Sequence, residues 1–187
     1  MNVARSWFGL VSIVAVVACG SHGDDPKPVV PSTSAVPADL PRPAFDIASI
    51  KVGEIALTVE VADSGDERAY GCMFIPELPD DRGMLFLFPG SEPRSFWMRN
   101  TRIPLDIAYL SESGRIVTLC RNALPFDERP GVYASTAPAR FVLEVAGGWF
   151  ERHGLNEGAL VWIPHEVLTR TPGPDDFKPN LPRRIGP

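Results

Sequence analysis

Residues 54–61, EIALTVEV, alternate without interruption between large apolar side chains and polar or small ones. The large apolar side chains occupy every second position: Ile55, Leu57, Val59 and Val61. In an extended chain, side chains two residues apart point to the same face. The segment therefore predicts a half-buried β-strand within residues 47–62.

Short stretches rich in β-branched and aromatic residues follow at intervals, separated by turns rich in Gly, Pro, Asn or Ser. They predict further strands at residues 84–88, 95–99, 105–110, 115–119, 140–145 and 159–163. The sequence SESG at residues 111–114 predicts a hairpin turn. Helices are predicted at residues 66–75 and 147–153, the second with Gly154 just beyond its end. These elements indicate a mainly β fold of the α+β type: a small antiparallel β-barrel or sandwich with one or two short covering helices.

The distribution of proline divides the chain into a domain and two flanks. Many of the 20 prolines lie before residue 44 or after residue 170. The sequence predicts a β-rich domain at residues 44–168, a Pro-rich tether at 19–43 and a Pro-rich C-terminal tail at 169–187. The tail carries Arg183 and Arg184, and it either hangs free or lies along the domain.

The N-terminus has the features of an export signal. Arg5 precedes an apolar run at residues 7–17, which is too short to span a bilayer. The sequence VVAC at residues 16–19 resembles a bacterial lipobox, so residues 1–18 are predicted to be a signal peptide and Cys19 to be lipidated. An ordinary cleaved signal with an incidental cysteine is the alternative.

The residue after Cys19 and the charge balance predict where the protein lies and what it meets. Gly20 stands where an aspartate commonly retains such proteins in the inner membrane, so the predicted location is the cell envelope, on the outer membrane, with the domain facing the periplasm. The lipid anchor makes the membrane a predicted partner. The formal net charge is −5, from 18 Lys+Arg and 23 Asp+Glu. Since no positive charge is left over to neutralise phosphates, nucleic acid is not an expected partner.

Several short motifs carry a resemblance to a known family. They are RAYGCM at 68–73, DRGMLF at 81–86, SFWMRNT at 95–101, IPLD at 103–106, FVLE at 141–144 and GLNEG at 154–158. From about residue 50 to residue 163 the chain resembles the bacterial domain of unknown function 192, most specifically at residues 96–106. The resemblance implies a compact β-rich fold whose activity is not established. Cys72 departs from the family pattern, which has Leu at this position.

Two cysteines remain in the domain once Cys19 is acylated: Cys72 and Cys120. An even pair in an oxidising compartment predicts a disulfide. Such a bond would stabilise the fold by about 4 kcal/mol in the chain-entropy description. Two buried thiols are the alternative, because a disulfide requires Cα atoms within about 7 Å of each other.

The methionines of the domain, Met73, Met84 and Met98, each lie in one of the family-like motifs. No cofactor is predicted, and the alternative is Cu(I): thioether sulfur favours this ion, so a converging set would form a Cu(I) site. Alternatively, the three side chains fill gaps in the core against aromatic residues.

The motif at residues 96–106 also contains a polar group. Asp106 lies among apolar neighbours, so its charge needs a partner, which Arg68, Arg99 or Arg102 could supply. The group is either a buried brace for the motif or the lining of a pocket for a small ligand. The predicted ligand-binding residues are Arg68, Trp97, Met98, Asn100, Thr101 and Asp106.

Familiar catalytic motifs are absent from the sequence. The 3 histidines form no H-x-H or H-E-x-x-H pattern, and no C-x-x-C, P-loop or G-x-S-x-G sequence occurs. The predicted function is therefore small-ligand binding or an accessory role in the cell envelope, with a small ligand or an envelope protein as the partner. An enzyme is the alternative, with Asp106 or Glu144 as a perturbed carboxylate beside an arginine. A third interpretation gives the motif at residues 96–106 a purely structural role.

Overall fold

The structure is a computed structural model that describes residues 41–174. The predicted signal peptide, the lipidation site Cys19, most of the tether and residues 175–187 lie outside the described residues. Within the described range, no helix is long and apolar enough to cross a bilayer. The elements, in chain order, are β1 (Asp46–Val52), β2 (Ile55–Ala62), α1 (Gly65–Tyr70), β3 (Arg82–Glu92), β4 (Ser95–Phe96), β5 (Leu105–Leu110), β6 (Ile116–Ala123), β7 (Tyr133–Ala134), β8 (Ala139–Ala146), α2 (Trp149–Arg152), β9 (Val161–Trp162) and α3 (His165–Leu168).

Most strands form one curled, mixed sheet in the order β6-β5-β8-β3-β2-β1-β9, while β4 pairs with β7 in a separate small ladder. The curl brings the two edge strands together at one end. Arg115, just before β6, forms an isolated antiparallel bridge with Leu160, just before β9. The amide of Ile116 also donates to the carbonyl of Ala159, at 3.0 Å. The sheet is therefore a half-barrel whose edges meet at this end.

The predicted mainly β fold with a few short helices is confirmed. Two details differ. Residues 46–62 form a hairpin of two strands rather than one strand, because Gly53, with φ 58, turns the chain between Val52 and Ile55. β2 and β3 pair in parallel, whereas the sequence predicts antiparallel pairing throughout, because the connection through α1 is long enough to cross over the sheet.

The central strands are buried on both faces, and their apolar side chains form two clusters. On β3, Leu85 belongs to the first cluster and Met84 to the second, as the two-residue period of a strand requires. The first cluster includes Trp149 of α2 and Val167 of α3, so these helices cover one face. The second cluster includes Met98 from the segment between β4 and β5, so loops cover the other face.

α1 begins with a capping box. The Ser64 hydroxyl accepts a hydrogen bond from the Glu67 amide at 3.3 Å, and the Glu67 carboxylate accepts one from the Ser64 amide at 2.9 Å. The helix ends at Tyr70 because Gly71, with φ 49, leaves the helical conformation. The predicted helix at residues 66–75 therefore extends too far.

α2 is four residues long, and a side chain of the sheet caps its N-terminus. The Asp106 carboxylate, 0% exposed, accepts hydrogen bonds from the amides of Asn122 (2.8 Å), Gly148 (3.0 Å) and Phe150 (3.1 Å). The prediction that an arginine pairs with Asp106 is therefore wrong. Backbone amides at the start of the helix satisfy the charge instead, as a buried brace.

The first residues of the predicted C-terminal tail lie along the domain. A terminal nitrogen of Arg170 binds the carboxylates of Asp46 and Asp63, at 2.9 Å each. Arg68 of α1 donates a hydrogen bond to the carbonyl of Gly173 at 2.8 Å. Of the two alternatives for the tail, its described part packs on the domain.

The predicted disulfide between Cys72 and Cys120 is wrong: both side chains are buried, and neither is disulfide-bonded. Cys120 on β6 pairs with Ile107 on β5, which in turn pairs with Glu144 on β8. The Cys72 thiol is hydrogen-bonded to Glu144. Because neighbouring strands lie about 4.8 Å apart, the backbone of Cys120 is roughly 10 Å from the backbone of Glu144, the residue that the Cys72 thiol contacts.

We expect thiol titration in denaturant to count the same number of thiols with and without prior reduction, because neither Cys72 nor Cys120 is bonded. The Cys72→Ala and Cys120→Ala variants serve as controls, and each should titrate one thiol fewer than the wild type. A gain of two thiols when the wild-type chain is reduced would contradict the structure.

Asp106→Asn should lower the free energy of unfolding by about 2 to 4 kcal/mol, because its new N–H donors face amides that need an acceptor. Urea unfolding measures this as a lower midpoint with an unchanged m value. Asp80→Asn is the control. Asp80 is an exposed carboxylate that pairs with Arg152 of α2, the helix that Asp106 caps. Exposed pairs contribute roughly 0 to 1 kcal/mol. Equal losses in the two variants would rule out a special role for Asp106.

Candidate binding site in the loop layer

Three loops cover the second apolar cluster, and we call them the loop layer: residues 71–81, 97–104 and 124–132. Cys72 from the first loop and Met98 from the second are members of that cluster, with exposures of 3% and 0%. The loop layer therefore packs on the sheet face opposite to α2 and α3, except at its Asp80, which binds Arg152 of α2.

Backbone strain is concentrated in this layer. Among residues 41–174, every non-glycine residue with a positive φ lies in it or directly before it: Phe74 (φ 62), Asn100 (φ 54), Asn122 (φ 51) and Phe126 (φ 59). Asparagine tolerates this conformation, whereas phenylalanine pays roughly 1 kcal/mol or more. Such strain persists only where surrounding contacts enforce it, so the layer is the candidate site.

Backbone hydrogen bonds join the three loops and enforce these conformations. The Phe74 amide donates to the carbonyl of Asn100 at 2.9 Å. The Phe126 amide donates to the carbonyl of Thr101 at 3.1 Å, and the Met98 amide to the carbonyl of Asp127 at 2.8 Å. The second loop is therefore bonded on both sides and acts as the centre of the layer.

Asp127 fixes the third loop. Its carboxylate accepts hydrogen bonds from Arg129 Nε at 2.8 Å and from the Tyr133 hydroxyl at 2.9 Å. Hydrogen bonding from Arg129 holds the pKa of Asp127 well below its usual range. The Tyr133 hydroxyl accepts the Leu124 amide at 2.8 Å, and the Tyr109 hydroxyl donates to the Tyr133 carbonyl. The tip of the loop is thus held in place although it is exposed.

One part of the outer surface of the loop layer, at residues 99–102 and 124–126, combines apolar and basic groups. Leu124 is 57% exposed and Phe126 is 60% exposed. Arg99 and Arg102 lie over aromatic rings of the layer, with guanidinium-to-centroid distances of 5.3 and 5.8 Å. Neither guanidinium is in an ion pair with any residue of the described chain. Both cations are therefore available to an acidic ligand.

A buried carboxylate lies beneath the loop layer. Glu144 on β8 is 3% exposed and stands directly opposite Met84 of the second cluster. Burial raises the pKa of Glu144 to about 7, and the hydrogen bond from the Cys72 thiol partly opposes this rise. Burial, followed by the contact with Glu144, also raises the pKa of Cys72 well above its ordinary value. Glu144 is therefore a buried group that changes charge near neutral pH.

The structure brings together the predicted ligand-binding residues of the second loop: Trp97, Met98, Asn100 and Thr101. Met98 and Thr101 are buried, and Trp97 and Asn100 are half-buried. Asp106 lies on the opposite face of β5, beneath α2. Arg68 lies on α1, where it donates to the carbonyls of Asp63 and Leu87 at 2.8 and 3.0 Å.

The methionines of the predicted Cu(I) site fall into two clusters. Met84 and Met98 belong to the second cluster. Met73 packs with Tyr70 in a third cluster, and its sulfur accepts the side-chain amide of Asn100 at 3.8 Å. In the part of the chain that the structure describes, no group of three or more His, Cys, Asp or Glu is arranged to hold a metal ion.

Several residues in or just before the loop layer are not predicted from the sequence: Phe74, Asn122, Leu124 and Phe126. The one available signal is the apolar run at residues 124–126, which lies between strands where polar turn residues are usual. Glu144 is predicted as one of two perturbed carboxylates, and its raised pKa agrees. The arginine expected beside it is not found, since no ion pair within residues 41–174 includes Glu144.

Two solved structures are similar to the chain. One is a protein of unknown function from Novosphingobium aromaticivorans DSM 12444, with 36% sequence identity and a TM-score of 0.61, covering 70% of this chain and 94% of that one. The other is a candidate transcription regulator from Sinorhizobium meliloti 1021, with 31% identity and a TM-score of 0.59, covering 63% of this chain and 94% of that one. No curated protein matches the chain significantly.

A sequence profile of a protein family also matches the chain. The family, DUF192, described as an uncharacterised ACR, matches residues 48–163. This range covers more than half of the chain and contains all the motifs from residues 68–73 to residues 154–158 that resemble the family. The predicted resemblance is therefore confirmed, and the chain belongs to the DUF192 family, whose function is uncharacterised.

Proposed function

We propose that the chain is a small-ligand-binding module of the bacterial cell envelope and that the loop layer is its binding surface. The observation that carries this proposal is the position of the backbone strain, which lies in and beside the loop layer. Strained backbone is typical of sites that are held ready for a ligand. Packing the second cluster would not by itself require a phenylalanine at positive φ.

The exposed side chains of the layer favour a ligand with an acidic group and an apolar part. Arg99 and Arg102 have no carboxylate partner among the described residues, so they can bind a carboxylate or a phosphate. Leu124 and Phe126 supply apolar contact area beside them. A few polar groups next to an apolar surface are typical of small-molecule sites.

Glu144 adds a proton-dependent element to the proposal. Its pKa of about 7 means that the buried carboxyl is neutral at lower pH and charged at higher pH. A negative charge beneath the loop layer would repel an acidic ligand. Binding of such a ligand is therefore expected to strengthen as the pH falls.

Catalysis by Asp106, the alternative function, has less support. Its carboxylate is 0% exposed, and both oxygens accept backbone amides. A carboxylate that is buried and already accepts three backbone amides is not exposed to a substrate. The hydrogen bonds of Asp106 fit a structural role.

The location in the cell envelope is supported by the sequence alone. The apolar run at residues 7–17 and the lipobox-like residues 16–19 precede the described domain. A lipid on Cys19 would anchor the domain to the outer membrane through the tether. A ligand of the loop layer would then be a component of the periplasm.

Gene regulation is not the function that we propose, although the Sinorhizobium meliloti protein is described as a candidate transcription regulator. The net charge of this chain is −5. Non-specific affinity for nucleic acid depends on Lys and Arg neutralising phosphates, and this chain has no excess of them.

Binding of Cu(I) is a second candidate function. The second cluster contains four buried sulfur side chains: Cys72, Met84, Met98 and Cys120. Soft sulfur ligands select Cu(I) over harder cations. Met73 packs separately, so Cys72 takes its place in this version of the site.

Octanoate, which has one carboxylate and one apolar chain, should raise the melting temperature of the chain. A ligand at 100 times its Kd stabilises by about 2.7 kcal/mol, which corresponds to roughly 5 to 10 °C. The Arg99→Gln, Arg102→Gln double variant should lose this rise, and Arg82→Gln, which removes an exposed arginine outside the loop layer, should keep it. An equal rise in all three proteins would mean that octanoate binds elsewhere.

The Cu(I) candidate is tested by melting the chain with Cu(I) in place of octanoate. If the sulfur cluster binds the ion, the melting temperature of the wild type should rise. That of a Met84→Leu, Met98→Leu variant should not, since Leu fills similar space without a sulfur ligand. The same rise in both proteins would eliminate this candidate.

Glu144→Gln should remove a pH-dependent part of the stability. Since burial raises the pKa of Glu144 from 4.5 to about 7, the folded chain holds this proton more tightly than the unfolded chain. The free energy of unfolding therefore falls as the pH rises between these values, by about 3 kcal/mol in total. Urea unfolding between about pH 5 and pH 8 should show this fall in the wild type and not in the variant.

The Cys72→Ala variant is the control for this measurement. Its thiol donates to the Glu144 carboxylate and opposes the rise in pKa, so removing it should move the fall in stability to higher pH. Parallel pH profiles for the wild type and Glu144→Gln would show that Glu144 does not titrate in this range.

A further inference from the structure

The edge of the sheet formed by β1 and β9 carries a second exposed surface. Lys51 on β1 is directly opposite Trp162 on β9, and Arg115 is directly opposite Leu160. Opposite residues of a ladder project from the same face, and Ile47 shares that face with Lys51 because an even number of positions separates them. We call this surface the Trp162 face: Ile47, Lys51, Arg115, Leu160 and Trp162.

The apolar side chains of the Trp162 face are open to solvent. Ile47 is 58% exposed, Trp162 54% and Leu160 46%. Val52 and Val161, which alternate with them along the two strands, are buried in the first cluster at 0% and 2%. The outer face of the sheet, which the loop layer covers over β3, β5 and β8, is therefore uncovered by described residues at this edge. An exposed group of large apolar side chains favours a binding partner.

Two cations lie beside these apolar side chains. Lys51 is in no ion pair within residues 41–174. Arg115 donates a hydrogen bond to the carbonyl of Gly158 at 3.0 Å and likewise has no carboxylate partner there. The face thus combines an indole, aliphatic groups and unpaired positive charge. This combination complements a phospholipid surface, where anionic phosphates lie above acyl chains.

The position of β1 in the chain would place the Trp162 face within reach of a membrane if Cys19 is lipidated. β1 is the first element of the domain, and the chain before it leads to Cys19, the predicted lipidation site. Pro41, the first described residue, follows Cys19 by 22 positions (41 − 19). A chain of that length spans at most about 75 Å, so a lipid on Cys19 would keep the face within reach of the bilayer.

We propose that the Trp162 face lies against the phospholipid headgroups of the membrane that holds the lipid anchor. Lys51 and Arg115 bind lipid phosphates, and the indole of Trp162 enters the interface between headgroups and acyl chains. This contact is separate from the small-ligand site, because it uses β1 and β9 and no residue of the loop layer.

Quenching of tryptophan fluorescence by brominated lipid tests the contact. The full chain, purified from bacterial membranes, is reconstituted into vesicles of phosphatidylglycerol and phosphatidylcholine brominated near the headgroup. Trp162→Phe should lose most of the quenching. Trp97→Phe, a matched change in the loop layer, should retain it, and the buried Trp149 is present in both variants.

Quenching that is unchanged in Trp162→Phe, or that is lost in Trp97→Phe instead, would overturn the proposal. Absence of quenching in the wild type would overturn it as well. So would recovery of the chain from the soluble fraction with its N-terminal residues intact, because the anchor that brings the face to the bilayer would then be missing.

The lipid phosphates are tested with a second pair of variants. Lys51→Gln with Arg115→Gln should reduce quenching on phosphatidylglycerol vesicles to about the level on phosphatidylcholine alone. Arg99→Gln with Arg102→Gln removes the same charge from the loop layer and should leave quenching unchanged. The opposite pattern would mean that the loop layer meets the membrane.

These variants also separate this proposal from the small-ligand function. Loss of quenching in Trp162→Phe with a normal octanoate response would support the membrane contact whatever the ligand of the loop layer is. Loss of the octanoate response in Arg99→Gln, Arg102→Gln with normal quenching would support the ligand site alone. Failure of one proposal therefore leaves the other open to its own measurement.

Discussion

The central strands β3, β5 and β8 have no face open to solvent, and this constraint decides where polar groups can lie in the domain. Alternate residues of each strand enter the first cluster under the helices or the second cluster under the loop layer. A polar side chain in these strands must therefore find its partners inside the protein. Asp106 and Glu144 meet this requirement on opposite faces of the sheet, and they meet it in different ways.

Asp106 accepts three backbone amides, so its charge is fully compensated and the carboxylate joins α2 to the sheet. Glu144 has a thiol as its side-chain partner, and a thiol is a weak donor. Burial therefore dominates, and the pKa of Glu144 rises to about 7. The buried carboxylate with the weaker partner lies on the second face, which is also the face covered by strained loops. The two observations are independent, and both indicate the loop layer.

The sequence predicts the strands well because each strand has one or two buried faces, and alternation is a local pattern. Prediction from the sequence fails where a side chain binds backbone groups that lie far away along the chain. Asp106 is predicted to need a partner, but the amides that bind it belong to residues from 122 to 150. The positive φ of Phe126 is enforced by a bond to Thr101, which no local pattern contains. An even number of cysteines predicts a disulfide, whereas the folded chain leaves Cys72 and Cys120 as two buried free thiols.

The half-barrel gives the two surfaces different directions. The first cluster draws on strands from β1 to β9 and fills the inside of the curl, so the loop layer and the Trp162 face both lie on the outside. β1 and β8 are separated by β2 and β3, and each step around a curled sheet rotates the outward direction. A domain that rests on a membrane through β1 and β9 would therefore direct the loops over β3 and β8 away from the bilayer. Because the sheet is curled, one small domain could contact a membrane on one side and bind a ligand with its strained loops on another.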